Sequence, residues 1–286
     1  MKIIITGATG GLGGHVIRHL LQTVPASHIA AIVRHPEKAA SLAELGVEIR
    51  QGDYDDPASL ASAFQGGTKL LFISSPATDD ALRVVQHAQV VKAARDAGIR
   101  HIAYTSFAFA EDNPFALVHL ATEYAIRASG IPYTFLRNAG YVEFFVNPAS
   151  IQANLRSGRI ITNAGQGRVN AVSRYDLALA AAKVLTGEGH ENKTYTLVSG
   201  EPWSFDELAG LLTELSGAPV VHQAVSFEEE MRMLVQAGLP DAVARMTAYV
   251  YSTVADGKME RGGSDLAALI GSETPLRELA RRAIQE

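Results

Sequence analysis

The first half of the chain alternates short apolar runs with stretches whose apolar residues recur at helical spacing. The runs are short, and several, such as 70–73, contain no polar alternation, which is typical of strands covered on both faces. We therefore predict strands at 3–5, 29–33, 47–51, 70–73, 102–104 and 133–137, with helices between them. This order predicts an α/β fold, a Rossmann-like doubly wound parallel sheet.

The alternation weakens after about residue 150, and shorter elements follow. We predict short strands at 160–162, 195–197 and 220–223, and helices at 151–157 and 206–216. A further helix is predicted to be capped by residues 173–176 and to run to residue 185. Residues 227–286 are predicted to form three helices, separated at 238–240 and 262–263. The chain thus divides into a dinucleotide-binding domain at 1–150 and a smaller, mainly helical α/β domain on the substrate side at 151–286.

A glycine-rich turn joins the first predicted strand to the first helix. Gly7, Gly10 and Gly13 have the spacing G-x-x-G-x-x-G, and such a turn lets backbone N–H groups and the helix dipole face a pyrophosphate. A tight turn without a ligand is the alternative. The candidate cofactor-binding residues here are Gly7, Ala8, Thr9, Gly10, Gly11 and Leu12.

The end of the second strand indicates which dinucleotide binds. In this fold a carboxylate at this position accepts a hydrogen bond from the ribose 2′-OH, whereas an arginine pairs with a 2′-phosphate. Arg34 follows the strand, and no Asp or Glu stands at its tip. We predict NADP(H) rather than NAD, with a solvated surface arginine as the alternative.

Other candidates follow the remaining strands. Asp53 and Tyr54 stand either at the adenine or as helix caps. Ser74 and Ser75 follow the fourth strand, and Asn138 and Tyr141 follow the sixth, at the edge where such sheets bind ligands. The aromatic residues predicted to cover the nicotinamide as an apolar substrate pocket, or else to be plain core, are Phe107, Phe109, Tyr141 and Phe144.

Composition excludes several classes of function. The chain has 286 residues, a net charge of −5 and no basic block, so neither nucleic acid nor a membrane is an expected partner. It contains no cysteine, which excludes disulfides and thiol nucleophiles. The early first strand and the lack of a transmembrane-length apolar run lead us to expect a soluble, cytoplasmic protein.

Three common catalytic patterns are missing. None of the nine tyrosines has a lysine four residues later, so the usual acid of carbonyl reduction on this scaffold is lacking. The nine histidines form no H-E-x-x-H pattern, and we predict no metal site. No G-x-S-x-G elbow supports a hydrolase. A cofactor site without an acid suits an acceptor that needs none, such as a delocalised carbocation or a quinone.

Several segments resemble the NmrA-like branch of the atypical short-chain dehydrogenases, namely 6–10, 31–34, 52–54, 103–106 and 132–138. Residues 90–98, 119–124, 188–193 and 226–230 resemble the triphenylmethane reductases of that branch, which are related to the type-2 NADPH:quinone oxidoreductases. The resemblance implies NADPH held by residues 7–12, by Arg34 at the 2′-phosphate, by Ser74 and Ser75 near the ribose, and by residues 138–141 at the nicotinamide. It further implies that quinones or cationic triarylmethane dyes are reduced in a pocket between the two domains.

One departure from the family pattern concerns His119. Other NmrA-like proteins often carry a lysine four residues before the glutamate that corresponds to Glu123, and here that position is His119. His119 is therefore a candidate catalytic acid, with a polar residue at a helix start as the alternative.

The sequence leads to an NADPH-dependent oxidoreductase that transfers hydride to a flat, electrophilic aromatic acceptor. A non-catalytic, NADP(H)-sensing regulatory protein of the NmrA type is the alternative. An epimerase or dehydratase is a third hypothesis, against which the missing Tyr-x-x-x-Lys pair argues. The expected partner is a small aromatic substrate, and a homodimer is left open.

Overall fold

The computed structural model describes residues 1–113 and 116–285. Its strands are β1 Ile3–Ile5, β2 Ile29–Val33, β3 Glu48–Gln51, β4 Lys69–Phe72, β5 His101–Phe107, β6 Tyr133–Asn138, β7 Gly140–Tyr141, β8 Arg159–Thr162, β9 Arg168–Val169, β10 Ala171–Val172, β11 Lys193–Leu197, β12 Trp203–Ser204 and β13 Val221–Ala224. Its α-helices are α1 Gly11–Leu20, α2 Ala40–Glu44, α3 Pro57–Ala63, α4 Asp80–Asp96, α5 Leu117–Ser129, α6 Pro148–Ser157, α7 Arg174–Thr186, α8 Phe205–Ser216, α9 Phe227–Gln236, α10 Asp241–Ala255, α11 Leu266–Ile270 and α12 Leu276–Gln285. Short 3₁₀ turns span Ala26–His28, Pro36–Ala39, Ala110–Asp112 and Val142–Phe144.

The chain separates into two compact units. Unit 1 comprises Met1–Ala139, Arg174–Leu197 and Ser264–Ser272, and unit 2 comprises Gly140–Ser173, Val198–Gly263 and Glu273–Glu286. The predicted domains, 1–150 and 151–286, are contiguous segments, whereas these units interleave along the chain. The segment that carries α7 and β11 belongs to unit 1, although it follows residue 150.

Unit 1 is built on a seven-stranded sheet with the order β11-β6-β5-β4-β1-β2-β3. All neighbouring strands are parallel, and the central pairing joins Ile3 to both Ile29 and Lys69. The strands β1, β2 and β5 are buried along nearly their whole length because helices cover both faces. The predicted Rossmann-like doubly wound sheet is confirmed.

Unit 2 has its own apolar core and only short strand pairs. The pairs are β7 with β10, β8 with β13, and the antiparallel β9 with β12. Several aromatic rings fill this core, and Phe145 lies near Trp203, Phe205 and Tyr251 at centroid distances of 6.0, 6.1 and 5.8 Å. Large rings allow such a small unit to bury much apolar area.

Helix starts follow local capping signals. Asp56 and Asp79 accept hydrogen bonds from the first-turn N–H groups of α3 and α4. Asn147 and Ser204 form reciprocal capping boxes at α6 and α8, and Ser226 caps α9. These side chains satisfy backbone donors that have no partner inside the helix. Helix α8 begins within one residue of the predicted start, whereas α6 begins at Pro148, three residues before the predicted start at 151.

Three predicted elements differ from those observed. The fifth strand continues to Phe107, because residues 105–107 pair with β6, where we predicted a loop starting at Thr105. The strand at 193–197 pairs in parallel with β6 and completes the main sheet. The last region forms four helices rather than three, since Gly271 has a φ of 89° and ends α11 before Pro275. Within the described residues, no helix is long and apolar enough to cross a membrane.

We expect the substitution Phe135→Ala to destabilise the protein strongly. Phe135 in β6 is fully buried and stacks on Tyr133 at 4.2 Å, so the substitution leaves a cavity that costs about 3 to 5 kcal/mol. Urea unfolding followed by circular dichroism measures the loss. Tyr124→Ala is the control, because Tyr124 is 67% exposed and its removal should cost less than about 1 kcal/mol. Equal losses in both variants would contradict the assigned core.

Candidate functional site

The candidate site lies along one edge of the unit 1 sheet. Because all seven strands are parallel, their carboxyl ends lie at that edge, and ligands of such sheets bind there. The predicted cofactor residues of unit 1 follow β1, β2 and β4 or end β6. The structure therefore brings to one edge candidates as far apart in sequence as Gly7 and Asn138, which are separated by 131 positions.

The glycine turn after β1 is shaped by two backbone constraints. Gly7 has a φ of 58°, which disfavours residues with a side chain. A Cβ on Gly13 would lie 2.3 Å from the carbonyl oxygen of Gly7. Only a glycine at position 13 therefore lets helix α1 come this close to the end of β1. The N–H of Gly10 donates to the same carbonyl at 3.0 Å. The turn is thereby held close to the helix axis.

The start of α1 suits an anion. Gly10 is its N-cap and supplies no side-chain cap, and the first turn contains no acidic residue. The first N–H groups of the helix and its positive dipole end are therefore not neutralised by the helix's own side chains. This arrangement fits the pyrophosphate of a dinucleotide.

Arg174 adds a positive charge to this turn, and the sequence did not identify it. It is the first residue of α7, and its Cδ would lie 3.1 Å from a Cβ on Gly11. The aliphatic part of the Arg174 side chain thus packs directly against the glycine turn. Only the packing of α7 against α1 joins positions 163 residues apart in sequence, so no local motif could have revealed it.

The ends of β2 and β3 form the side predicted to receive the adenosine. Arg34 follows β2 with its side chain exposed. Tyr54 donates to the carbonyl of Ile73 at 2.7 Å. Burial raises the pKa of the Tyr54 hydroxyl above its usual value, and the charge of nearby Arg34 offsets only part of this rise. Asp53 accepts from the N–H of Asp55 at 3.1 Å, as in a local turn.

The two serines after β4 differ in their surroundings. Ser74 is half-buried, and its N–H donates to Thr105 Oγ1 at 3.0 Å. Ser75 is buried. Its hydroxyl donates a hydrogen bond to Gln86 Oε1, and its N–H donates to His87 Nε2. The Ser75 hydroxyl is engaged within the protein, which leaves Ser74 as the better candidate for a ribose contact.

Asn138 ends β6 with an unsatisfied side chain. The residue is only 5% exposed, and its Oδ1 is buried without a hydrogen-bond partner, while its backbone carbonyl accepts from the N–H of Ala108 at 2.8 Å. A buried acceptor without a donor is energetically costly. It fits a ligand that brings an N–H group, such as a nicotinamide carboxamide.

The aromatic candidates fall in both units. Phe107 ends β5 in unit 1, and Phe109 follows it with a φ of 59°, which is uncommon for an aromatic residue. Tyr141 and Phe144 belong to unit 2, where Phe144 is 43% exposed. Their common role as a substrate pocket stays a prediction.

His119 is buried in α5 and contacts two elements of unit 1. Its Nδ1 lies 3.0 Å from the Tyr104 hydroxyl, and Arg83 Nη2 lies 3.3 Å from its Nε2. Burial, and then the charge of Arg83, lowers the pKa of His119 to about 4. The imidazole is neutral at physiological pH, so an imidazolium acid at this position is disfavoured.

Glu123 holds a buried ion pair beneath the edge. Its carboxylate is 2% exposed and accepts from Ser106 Oγ at 2.6 Å and from Arg137 Nε and Nη2 at 2.9 and 2.8 Å. Glu111 receives the other end of the Arg137 guanidinium at 2.8 Å. This network fixes Ser106 and the end of β6, next to Asn138. In the described residues, no cluster of His, Cys, Asp or Glu could hold a metal ion.

Comparison with known proteins identifies close relatives. A model described as the NmrA-like family matches residues 1–273. Quinone oxidoreductase 2 of Escherichia coli is 44% identical over 274 residues, which covers 95% of this chain and 94% of that protein. The family predicted from sequence is confirmed.

Solved structures agree with this assignment. Triphenylmethane reductase of Citrobacter sp., complexed with NADP(H), is 61% identical with a TM-score of 0.96, over 99% of this chain and 100% of that one. The NADPH-dependent quinone oxidoreductase of Escherichia coli, complexed with NADPH, is 42% identical with a TM-score of 0.91, over 99% of both chains. Both neighbours hold the cofactor that Arg34 led us to predict.

We expect Gly13→Ala to weaken dinucleotide binding by at least about tenfold and to destabilise the protein by about 1 to 3 kcal/mol, since the new Cβ would collide with the Gly7 carbonyl. Gly14→Ala is the matched control in the same helix, because the nearest atom to its Cβ lies 3.6 Å away. It should be neutral or stabilising by up to about 1 kcal/mol. Calorimetric titration with NADPH and thermal unfolding separate the two effects. Similar behaviour of both variants would refute the close-approach argument.

Proposed function

Because the chain belongs to the NmrA-like family and is an NADPH-dependent reductase, we propose that it transfers hydride to a flat, electrophilic aromatic acceptor. The observation that carries the proposal is the edge of unit 1. It combines an acid-free helix start, an exposed Arg34 and an unsatisfied Asn138, while its one candidate acid, His119, is neutral. Such a site binds and orients a cofactor without offering a cationic proton donor.

The residues that would hold NADPH follow from these contacts. The N–H groups at the start of α1 and the charge of Arg174 would bind the pyrophosphate. Arg34 would pair with the 2′-phosphate as a charge-assisted donor. Asn138 Oδ1 would accept from the carboxamide and so set the orientation of the nicotinamide. When bound, the cofactor supplies a hydride from its nicotinamide ring.

The acceptor's own chemistry explains why a strong acid is dispensable. A triarylmethane cation becomes neutral when it gains a hydride, so no proton is required. A quinone gains a hydride and becomes a phenolate-like anion that water can protonate once the product leaves the site. The protein then contributes by holding the flat ring near the cofactor and by excluding water. Phe107, which lies 6.0 Å from the His119 ring in unit 1, is our candidate for one face of this slot.

The related proteins favour an enzyme over a silent sensor. Quinone oxidoreductase 2 and triphenylmethane reductase are both named for reductions of aromatic acceptors. We propose quinones and cationic triarylmethane dyes as the two acceptor classes for this chain.

The function is tested by mixing the protein with NADPH and either menadione or crystal violet. We expect NADPH absorbance to fall with both acceptors, and the dye to lose its colour in proportion to the NADPH consumed. Protein without acceptor is the control for slow reduction of oxygen. Tight NADPH binding without turnover of either acceptor would instead support the NADP(H)-sensing regulator.

Cofactor choice is tested by Arg34→Glu. We expect NADPH affinity to fall by about 2 to 4 kcal/mol while NADH affinity holds or improves, because an attraction to the 2′-phosphate becomes a repulsion. Lys193→Glu makes the same charge change at the amino end of β11, on the opposite edge of the sheet, and should alter affinity by less than about 0.5 kcal/mol. Binding constants for both dinucleotides measure the difference. An equal loss of affinity for NADPH and NADH would show that Arg34 does not bind the 2′-phosphate.

A further inference from the structure

The segment that follows β4, residues 73–77, is held in place by side chains from other elements of unit 1. The three successive backbone N–H groups of residues 73–75 donate to Thr6 Oγ1 at 2.9 Å, Thr105 Oγ1 at 3.0 Å and His87 Nε2 at 2.9 Å. A Cβ on Gly7 would lie 3.3 Å from the Cβ of residue 73, so the segment starts against the glycine turn. Its course along the candidate cofactor edge therefore depends on these three acceptors.

His87 on α4, unlike the two threonine hydroxyls, can accept from this segment in only one tautomer. The backbone N–H of Ser75 can only donate, so Nε2 carries a lone pair and the neutral ring carries its proton on Nδ1. Nδ1 lies 2.7 Å from Thr122 Oγ1, and the Thr122 hydroxyl donates to the carbonyl of Val118 at 2.8 Å. The chain of hydrogen bonds begins at a backbone donor and ends at a backbone acceptor, and neither can exchange its role. It therefore fixes the tautomer of His87.

The surroundings of His87 also keep its ring neutral. The residue is 1% exposed, and burial lowers the pKa of His87 to about 3, with the positive charge of Arg83 acting in the same direction. Protonation would replace the Nε2 lone pair by an N–H that faces the N–H of Ser75, and the hydrogen bond would be lost. The ring therefore accepts from Ser75 throughout the neutral pH range.

The preceding residue of α4 joins the same segment to the turn after β3. Gln86 is 6% exposed, and its Oε1 accepts from the Ser75 hydroxyl while its Nε2 donates to Asp55 Oδ1 at 2.9 Å. Asp55 follows β3, on the side predicted to receive the adenosine, whereas Ser74 is the candidate for a ribose contact. Helix α4 thus connects two parts of the candidate cofactor edge, although none of its residues is itself a predicted cofactor contact.

We propose that His87 is a positioning residue for NADPH: by holding the N–H of Ser75, it keeps Ser74 and the end of β4 in the arrangement that binds the cofactor. With this acceptor in place the segment is ordered before the dinucleotide arrives, so binding does not have to supply the free energy of ordering. Without it, the Ser75 N–H is a buried donor that lacks a partner, and the segment must move to find one. The proposal rests on the proposed placement of NADPH at this edge and not on which compound receives the hydride.

Two substitutions at position 87 each keep one of the two ring hydrogen bonds. The amide oxygen of glutamine reaches the position of Nε2, so His87→Gln keeps the acceptor for Ser75, whereas the shorter His87→Asn reaches only the position of Nδ1 and keeps the donor to Thr122. We expect NADPH affinity in a calorimetric titration to stay within about threefold in His87→Gln and to fall by about tenfold or more in His87→Asn. Equal affinities in the two variants, or a larger loss in His87→Gln, would overturn the proposal.

His101 provides the matched control at the opposite edge of the same sheet. It is 3% exposed at the start of β5, and its Nε2 lies 2.8 Å from Thr134 Oγ1. His101→Asn makes the same chemical change and should lower the melting temperature as His87→Asn does, while NADPH affinity stays within about twofold of the wild type. An equal loss of NADPH affinity in both asparagine variants would show general destabilisation instead of positioning.

Nuclear magnetic resonance of the wild type labelled with ¹⁵N-histidine reads the tautomer directly. The His87 ring is assigned by its loss in His87→Gln or by through-bond correlation to its own backbone. We expect a protonated Nδ1 and an unprotonated Nε2 that stay unchanged between about pH 8 and pH 5. A protonated Nε2 would contradict the hydrogen bond from Ser75 and would overturn the proposal even if the variants failed to fold.

Turnover separates this proposal from the proposed function. In His87→Asn, KM for NADPH should rise by about tenfold while kcat at saturating NADPH stays within about twofold, because a positioning residue for the cofactor acts on its binding. A lower kcat at unchanged KM would refute this role. If the wild type oxidises NADPH with neither menadione nor crystal violet, the proposed function fails, whereas NADPH affinity still tests His87. If the wild type reduces both and the two position-87 variants bind NADPH equally, only the role of His87 is refuted.

Discussion

The close approach of two backbone segments underlies the candidate cofactor site. Helix α1 can start against the end of β1 only because Gly13 has no Cβ. A Cβ at this position would lie 2.3 Å from the carbonyl oxygen of Gly7. This approach directs the free N–H groups of the helix start toward the sheet edge, where an anion can meet them. Arg174 adds charge to the same turn from a distant part of the chain. The other cofactor candidates of unit 1 lie at the carboxyl ends of the strands that run parallel to β1.

Buried polar groups beneath the edge have two different electrostatic states. Glu123 and Arg137 form a fully hydrogen-bonded ion pair, which makes burial of both charges tolerable and holds Ser106 in place. His119 reaches the same region in its neutral form, because burial and Arg83 disfavour its protonation. The charged groups thus serve to support the edge, and the imidazole of His119 adds no cationic acid to it. This combination is consistent with an acceptor whose reduction is driven by its own electron deficiency.

Unit 2 solves a different problem from unit 1. Its strands are too short to build a large sheet, so aromatic rings supply much of its buried area. Unit 2 also buries the carboxyl group of Glu230, which accepts from the N–H of Asn163 and forms no ion pair among the described residues. An uncompensated buried acid lowers stability.

Local sequence patterns determined the elements and the cofactor class. Apolar runs, glycine spacing and the residue at the end of β2 depend on neighbours within a few positions. They predicted the doubly wound sheet and the NADP(H) cofactor, which are confirmed, and they made the glycine turn and Arg34 the candidates for binding it. The full extent of β5, the place of β11 in the main sheet and the interleaving of the units required pairing between distant segments. The placement of Arg174 on Gly11, the engagement of Ser75, the neutral state of His119 and the isolation of Glu230 were also decided only by tertiary structure. Burial and long-range contacts set the charge and accessibility of a side chain, and neither is encoded in the spacing of its immediate neighbours.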